Sequence, residues 1–135
     1  MVTYTESVDG VGEEALKGFF VGWPSPPSPR THLKILENSA FVVIARDEHS
    51  GDVVGFINAI SDGVLTAYIP LLEVLPAYQG QGIGSELLRR LMSRLSHLYM
   101  VDLMCDKGLR PFYERAGMAP ATGMMVRNFE RQAGE

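Results

Sequence analysis

Residues 74–84 read Val74-Leu75-Pro76-Ala77-Tyr78-Gln79-Gly80-Gln81-Gly82-Ile83-Gly84. Before this stretch, residues 65–75 form an apolar run typical of a strand, and after it leucines recur with the spacing of one helix face. Glycine lets backbone amides approach a ligand, and a helix start offers unpaired N–H groups at the positive end of its dipole. The stretch therefore predicts a strand, a phosphate-binding turn and a helix, with a turn that only connects two elements as the alternative.

Two common phosphate-binding motifs do not fit this turn. A Walker loop ends in Gly-Lys-Ser/Thr, whereas here Gly84 is followed directly by Ser85. The dinucleotide fingerprint needs its third glycine one position later than Gly84. Asp102 lies about twenty residues after Gly82, where that fold has a ribose-binding acid. However, too little chain follows Asp102 to complete a doubly wound sheet.

The turn resembles the acetyl-CoA signature of the GNAT superfamily of acyl-CoA-dependent N-acetyltransferases, Gln/Arg-x-x-Gly-x-Gly/Ala, present here as Gln79 to Gly84. The preceding Val74 to Tyr78 is similar to the Val-x-Pro-x-Tyr that usually comes before it. Near the C-terminus, Pro111 to Met118 resembles the superfamily's Phe-Tyr-x-x-x-Gly-Phe segment. The resemblance implies an α/β GNAT fold, with a mixed, mostly antiparallel sheet splayed at the cofactor strand and flanked by helices.

The same resemblance implies how acetyl-CoA is bound. Pantetheine would lie in the splay as a pseudo-strand on the backbone of Leu72 and Val74, and the pyrophosphate on the amides of residues 80–85. Asp106 stands where many relatives have an asparagine, which leaves its role open. Arg89, Arg90 and Lys107 either assist at the adenosine end or form a solvated charged face. The implied cofactor contacts are Leu72, Val74, Gln79, Gly80, Gln81, Gly82, Ile83, Gly84, Ser85 and Asp106.

The implied reaction is the transfer of an acetyl group to a primary amine by direct attack in a ternary complex. The resemblance assigns the oxyanion contact to the Val74 N–H and the general acid to Tyr113, for which a core packing role is the alternative. Glu73, beside Val74 on the cofactor strand, is the candidate general base, with solvent or a water chain as its rival. Trp23, next to a proline-rich loop, is the candidate acceptor-binding residue, although core packing explains it equally well.

Two rival functions remain at this point. One is a non-catalytic acyl-CoA-binding or regulatory module, which would keep the phosphate turn and lack a productive acceptor site. The other is a nucleotide-binding protein of another class, which would prefer NAD or ATP to CoA.

Length and composition restrict the number of domains and the class of protein. The 135 residues predict a single domain over 1–135, with a core of about 2–129 and a polar tail. Hydrophobic residues make up 46% and charged residues 21%, and no apolar run reaches the roughly 18 residues that span a bilayer. The acidic N-terminus is unlike a secretory signal, so we expect a cytoplasmic protein without a membrane partner.

Charge and the metal-binding residue types restrict the partners. Residues 1–78 hold ten acids and four bases, whereas residues 79–135 hold six acids and eight bases, so the second part suits an anionic ligand and the first a cationic acceptor. The sequence contains no basic stripe, so it does not predict nucleic-acid binding. We expect a small-molecule or peptide amine acceptor, no metal and a possible homodimer. His32, His49 and His97 are interpreted as surface histidines, and Cys105 as a buried apolar residue.

The remaining pattern predicts the secondary structure. Pro24 to Pro29 cannot form regular helix or central strand, and Pro70 requires a bulge or an edge position in its strand. The predicted strands are Val2 to Ser7, Phe41 to Ala45, Val53 to Ile57, Leu65 to Leu75, Tyr99 to Cys105 and Met124 to Phe129. The predicted helices are Glu13 to Phe20, Thr31 to about Glu37 with Thr31 as the cap, Gly82 to about Leu98, and Leu109 to Ala116 closed by Gly117.

Overall fold

Five strands in the order β1-β2-β3-β4-β5 form one mixed sheet in the computed structural model, which describes residues 1–135. The pairs β1–β2, β2–β3 and β3–β4 are antiparallel, and β4–β5 is parallel. This confirms the predicted fold class. The strands are β1 (Val2–Thr5), β2 (Phe41–Asp47), β3 (Val53–Ser61), β4 (Thr66–Val74) and β5 (Met100–Leu103). The α-helices are α1 (Pro29–Glu37), α2 (Ile83–Arg94) and α3 (Arg110–Glu114). Single turns of 3-10 helix lie at Glu13–Ala15, Pro76–Tyr78, Lys107–Leu109 and Phe129–Arg131.

The hydrophobic core lies on both faces of the sheet. Because side chains alternate along a strand, β2 and β3 supply apolar residues to either side. On one face, the leucine stripe of α2 is buried against residues such as Val43 and Ile57. On the other face, Leu36 of α1 and the segment before it cover Ile44 and Phe56. The two layers bury residues 53–59 of β3 between them.

The sheet opens between β4 and β5. Their pairing covers only Thr66–Ile69 with Met100–Leu103, so β4 continues for five more residues, 70–74, without a neighbour on that side. The register of β3 against β4 shifts around Ala59, where Ile69 and Pro70 face one residue. This bulge confirms the irregularity predicted at Pro70, and it bends β4 where the two strands part.

The helix predicted over Glu13 to Phe20 is wrong in extent. Only Glu13–Ala15 form a helical turn, of the 3-10 type. Gly18 then takes φ 89° and Phe20 φ 62°, which end any helix because such values are left-handed. Leu16 and Phe20 are nevertheless buried as the apolar pattern requires.

The helix predicted from Thr31 begins two residues earlier. Pro29 occupies its first turn, where a missing N–H costs nothing. The cap is Ser28, whose Oγ accepts from the Thr31 N–H at 3.2 Å, so Thr31 is not the cap. The predictions of a helix at α2 and of a short helix α3 before Gly117 are confirmed, although α2 ends at Arg94 and not near Leu98, and α3 covers only Arg110–Glu114. Gly117 takes φ 94°.

Three further predictions are wrong. Met124 to Phe129 form no strand, and every residue of 119–131 is exposed. His32 is buried, with 1% of its surface exposed and neither ring nitrogen hydrogen-bonded, because it fills a space between aromatic rings. Cys105 is exposed, since β5 ends two residues before it. The helices are all too short or too polar to cross a membrane.

Candidate functional site

The turn between β4 and α2 presents a row of free backbone donors. Gly80 and Gly82 take φ 79° and 82°, a region that favours glycine. Gly82 is the residue before α2 and supplies no side-chain cap. The backbone N–H groups of residues 80–85 donate no hydrogen bond within the protein, and the first helical donor is Glu86, to the Gly82 carbonyl at 3.1 Å. Six successive amides at the start of a twelve-residue helix form a site for an anion.

Space around this turn differs from one glycine to the next. A Cβ added at Gly80 or Gly82 would meet no atom within 4 Å, so that face of the turn is open. A Cβ at Gly84 would lie 3.7 Å from both Phe112 and Val74. Gly84 is therefore the point where the start of α2 comes close to the end of β4 and to α3, and the free amides lie next to the gap between β4 and β5.

The free side of β4 carries the backbone groups of Leu72 and Val74. The Leu75 N–H donates to the Val54 carbonyl at 2.8 Å, and residues alternate along a strand, so Leu71, Glu73 and Leu75 bond towards β3. Leu72 and Val74 then direct their N–H and C=O groups into the gap.

Side chains around the turn hold its ends in place. The Gln79 side chain donates to the Val74 carbonyl at 3.0 Å, which fixes the turn to the end of β4. The Tyr78 hydroxyl donates to Asp47 Oδ2 at 2.7 Å, which ties the same turn to the end of β2. That hydrogen bond is the main reason why the pKa of Asp47 lies below its usual value.

Glu73 points to the opposite face of the sheet from Leu72 and Val74. Its Oε1 accepts from the Phe20 N–H at 2.9 Å and its Oε2 from the Val21 N–H at 3.3 Å. Phe20 is the one non-glycine residue with positive φ, so the carboxylate holds a backbone turn that costs free energy to form. Sequence reasoning missed this contact because it joins residues 53 positions apart.

Trp23 belongs to the same turn. Its N–H donates to the Phe20 carbonyl at 3.1 Å, and its ring lies 4.9 Å from that of Phe20 while remaining exposed. Phe20 in turn packs on His32 and Phe56. Trp23 and Glu73 therefore lie close together, because both contact Phe20.

Tyr113 lies half-buried on α3. Its ring packs edge-on against Phe112 at 4.9 Å, and its hydroxyl makes no hydrogen bond within the protein. Burial raises the pKa of the phenol above its ordinary value, with a smaller contribution from Cys105. Tyr113 and Cys105 both line a cavity of about 970 Å³ beside β5. The phenol is therefore protonated at neutral pH and has a free proton to donate.

The cations near the turn are partly engaged. Arg89 donates two hydrogen bonds to Glu86, at 2.9 and 2.7 Å, and Arg90 donates one at 2.6 Å. The bonds from Arg89, followed by that from Arg90, lower the pKa of Glu86 to about 2. Arg90 also lies 4.7 Å from the centre of the Tyr4 ring, which directs it towards β1.

A second cavity, of about 350 Å³, lies between α2 and α3 next to the free amides. Ser85, Arg89, Phe112 and Arg115 are among its lining residues. Arg115 was not predicted as a site residue, because an arginine just after a short helix carries no signal of its own. Only the packing of α3 against α2 shows that Arg115 and Arg89 border the same cavity.

Asp106 is exposed at the start of the 3-10 turn Lys107–Leu109, and its side chain makes no hydrogen bond. The structure thus gives it no hydrogen bond to residues 79–85. No group of three or more histidine, cysteine, aspartate or glutamate side chains is placed to hold a metal ion.

The model of the acetyltransferase (GNAT) family matches residues 8–118. The chain belongs to the GNAT acetyltransferase family. The match covers the splayed strands, the glycine turn and α3. The elements that build the candidate site in this GNAT protein therefore all lie within the matched residues.

Solved structures agree with this assignment. A protein of Deinococcus radiodurans R1, assigned as an acetyltransferase, is 48% identical to this GNAT chain with a TM-score of 0.95, covering 98% of this chain and 92% of that one. A GNAT-family acetyltransferase of Streptococcus pneumoniae TIGR4 is 28% identical with a TM-score of 0.76, covering 95% and 98%. The fold is therefore shared along almost the whole chain.

Curated relatives are longer. GCN5-related N-acetyltransferase 3, chloroplastic, of Arabidopsis thaliana is 35% identical over 88 residues, which are 60% of this chain and 37% of that protein. An uncharacterized N-acetyltransferase, ycf52-like, of Prochlorococcus marinus is 33% identical over 101 residues, which are 72% of this chain and 56% of that protein. The chain thus spans less than two thirds of the length of these relatives.

Proposed function

We propose that this GNAT protein binds acetyl-CoA and transfers its acetyl group to a primary amine. The observation that carries the proposal is the set of six unpaired amides at residues 80–85, next to a strand whose free Leu72 backbone groups and free Val74 N–H face an open gap. A diphosphate suits the first feature and an extended amide-containing chain suits the second. CoA contains both, in that order along one molecule.

The fit of the chain to CoA is supported by shape and charge. The open space at Gly80 and Gly82 leaves room for pyrophosphate oxygens close to the backbone, where a Cβ would stand in the way. The cavity lined by Arg89 and Arg115 lies beyond Ser85, and its two cations suit the remaining phosphate of CoA. Leu72 and Val74 would pair with the amides of pantetheine as a neighbouring strand does.

Bound acetyl-CoA would supply a thioester carbonyl that a neutral amine can attack. In the proposed step the amine nitrogen forms a bond to the carbonyl carbon, and the Val74 N–H stabilises the negative charge that develops on the oxygen. The carbon–sulfur bond then breaks, Tyr113 donates its proton to the departing thiolate, and Glu73 accepts the proton lost by the amine, directly or through water. The total charge is conserved, because the negative charge moves from the Glu73 carboxylate to the Tyr113 phenolate, and a proton returning through solvent from Glu73 to Tyr113 restores both groups.

The acceptor would lie on the Glu73 side of the sheet. Trp23 is exposed in the turn that Glu73 holds, so its ring is available to an acceptor that approaches the carboxylate. The acidic character of residues 1–78, ten acids against four bases, favours a cationic amine, either a small molecule or a peptide.

One observation favours a non-catalytic acyl-CoA-binding module as a second candidate. Both carboxylate oxygens of Glu73 already accept backbone N–H groups, which is the arrangement of a structural anchor. A carboxylate has lone pairs for further partners, so the contacts are also compatible with a base.

The test has two stages. In calorimetric titrations we expect acetyl-CoA to bind and NAD and ATP to bind at least about tenfold more weakly. A preference for NAD or ATP would contradict the proposal. In the second stage the purified protein is incubated with acetyl-CoA and a panel of polyamines, amino acids, aminoglycosides and peptides, and free CoA is measured against a no-acceptor control. Tight binding without acceptor-dependent release of CoA would support the non-catalytic module instead.

A further inference from the structure

Residues 119–128 leave the body of the protein as an unpaired segment. Every residue in it is exposed, and none of the backbone N–H groups from 119 to 128 donates a hydrogen bond. Three of its side chains are large and apolar, and Met124 and Val126 are 93% and 92% exposed. The sequence of residues 124–129 nevertheless has the composition of a strand. Apolar strand-forming sequence that stays fully exposed indicates a missing partner.

The edge strand of the sheet is also unpaired on its outer side. Met100 donates its N–H to the Leu65 carbonyl at 3.0 Å, so its backbone faces β4. By alternation, Val101 and Leu103 direct their N–H and C=O groups away from the sheet. β5 is the last strand in the order, and no chain covers this edge.

A cavity separates the open edge from the unpaired segment. It has a volume of about 970 Å³, and its lining includes all of residues 101–105 and 117–127. The space therefore lies between the outer edge of β5 and the segment itself, with room for several residues of extended chain. Strands pair at about 4.8 Å, so a chain entering this cavity could bond to the edge of β5.

The two ends of the segment are attached to its own chain. At the start, the Met118 N–H donates to the Tyr113 carbonyl at 3.2 Å. At the far end, the Gln132 side chain accepts from the Ser25 N–H at 2.8 Å, beside α1. The segment is therefore attached to its own chain at both ends, and between these two anchors it donates no backbone hydrogen bond to its own β5.

We propose that this protein forms a two-fold symmetric dimer, in which residues 121–127 of each copy enter the cavity of the other copy and pair with the open edge of β5. A second copy fits because each copy carries both an open β5 edge and an unpaired segment. Two copies related by a two-fold axis can therefore make the same contact twice. Charge agrees as well. Arg127 is the single charged residue among 119–128, and the other charged residues of the cavity lining are two acids, Asp102 and Glu114, against one base, Arg110.

The dimer would also complete the wall of the candidate site. Tyr113 lines the same cavity, so the inserted segment of the second copy would lie beside the proposed acid. The inference itself rests on unpaired backbone and exposed apolar surface, and it does not require acetyl transfer. Its test accordingly measures association and not turnover.

The first experiment compares proline variants by sedimentation equilibrium. Adjacent residues of a strand point their N–H groups to opposite sides, so Met125→Pro or Val126→Pro must remove a donor that faces β5. Neither N–H is bonded within one chain, so each variant should fold as the wild type does. We expect a dimeric wild type and at least one proline variant whose dissociation constant is raised about tenfold or more. The matched control is Val126→Thr, which keeps the N–H and the branched side chain and should remain a dimer.

The second experiment measures amide hydrogen exchange on the unmodified protein at a series of concentrations. Pairing between copies predicts that amides of residues 121–127 and of β5 are protected at high concentration and lose protection together on dilution. Protection that does not depend on concentration would show that the segment closes on its own β5 and would overturn the proposal. A monomer with unprotected amides, or a dimer that survives both proline substitutions unchanged, would overturn it as well.

Discussion

Tyr113 combines a half-buried ring, a hydroxyl without a hydrogen-bond partner and a raised pKa. The raised pKa keeps the phenol protonated at neutral pH, and its free hydroxyl can then donate to a thiolate that is released nearby. The same ring packs on Phe112 and belongs to the edge of the core, so its structural contribution is also real. The two roles can be separated because they depend on different atoms of the side chain.

Tyr113→Phe removes the hydroxyl and keeps the ring. If Tyr113 is the acid, kcat with acetyl-CoA and a productive acceptor should fall by about 10²-fold while the affinity for acetyl-CoA stays nearly unchanged. Steady-state kinetics and calorimetry measure the two quantities. An acetyl thioester with a lower thiol pKa should restore part of the lost rate, because it needs less protonation. Wild-type turnover in the variant would leave solvent as the proton source.

At Glu73 the structure adds an anchoring contact to the proposed base. Glu73→Gln keeps one carbonyl oxygen that can accept from Phe20 or Val21, and it removes the ability to take up a proton. We expect a lower rate with a simple amine, a changed pH–rate profile and an acetyl-CoA affinity within a few-fold of the wild type. A lower rate with an unchanged pH–rate profile would assign Glu73 to holding the turn, with water as the base.

At the scale of secondary-structure elements, the role of the turn before α2 can be tested by comparing Gly82 in that turn with Gly63 in another turn. Gly82 and Gly63 both have positive φ, 82° and 76°, and a Cβ at either would meet nothing within 4 Å. Aspartate at each position therefore imposes a similar backbone strain. Only at Gly82 does it place a carboxylate beside the free amides of residues 80–85. The pair separates loss of binding from loss of stability.

We expect Gly82→Asp to weaken acetyl-CoA binding by more than about tenfold, or roughly 1.4 kcal/mol, because a negative charge competes with the pyrophosphate for the same amides. Gly63→Asp should lose a similar amount of stability and retain its affinity. Calorimetric titration and thermal unfolding of both folded variants check this. Unchanged affinity in Gly82→Asp would remove the turn from the binding site.

At the scale of the whole molecule, His32 links stability to pH. It is 1% exposed between α1 and the sheet, and burial lowers its pKa from 6.5 to about 4. The unfolded chain therefore binds a proton on this histidine between about pH 6.5 and 4 when the folded chain does not, so stability falls as the pH drops through that window. The full effect is about 3 kcal/mol, complete below pH 4.

His32→Leu should remove this part of the pH dependence, since leucine fills the space between the aromatic rings without titrating. Urea unfolding at pH 7 and at pH 4.5 should show a smaller loss of stability in the variant than in the wild type. His49→Gln, at an exposed position, serves as the control and should follow the wild type. The carboxylates titrate alike in all three proteins, so an equal loss in wild type and His32→Leu would contradict the role of His32.

The sequence by itself determined the features that short stretches encode. Residues 74–84 specified the strand, turn and helix of the site, because glycine positions and leucine spacing are local properties. β2 (Phe41–Asp47) and β3 (Val53–Ser61) likewise form the predicted hairpin. Pro70 predicted the bulge in the pairing of β4 with β3. The candidate positions 79–85 come from this local pattern together with the resemblance to the GNAT signature, and Tyr113 is a candidate through that resemblance alone.

Only the tertiary structure decided the features that depend on residues far apart in the chain. The helix predicted over Glu13 to Phe20 is limited to one turn, and Phe20 takes a left-handed conformation in which its N–H donates to Glu73, more than fifty positions later. His32 is buried because the rings of Phe19, Phe20 and Phe56 close around it, which no local pattern shows. The strand predicted at Met124 to Phe129 has no partner within the chain, because a strand requires a neighbouring edge as well as a suitable sequence.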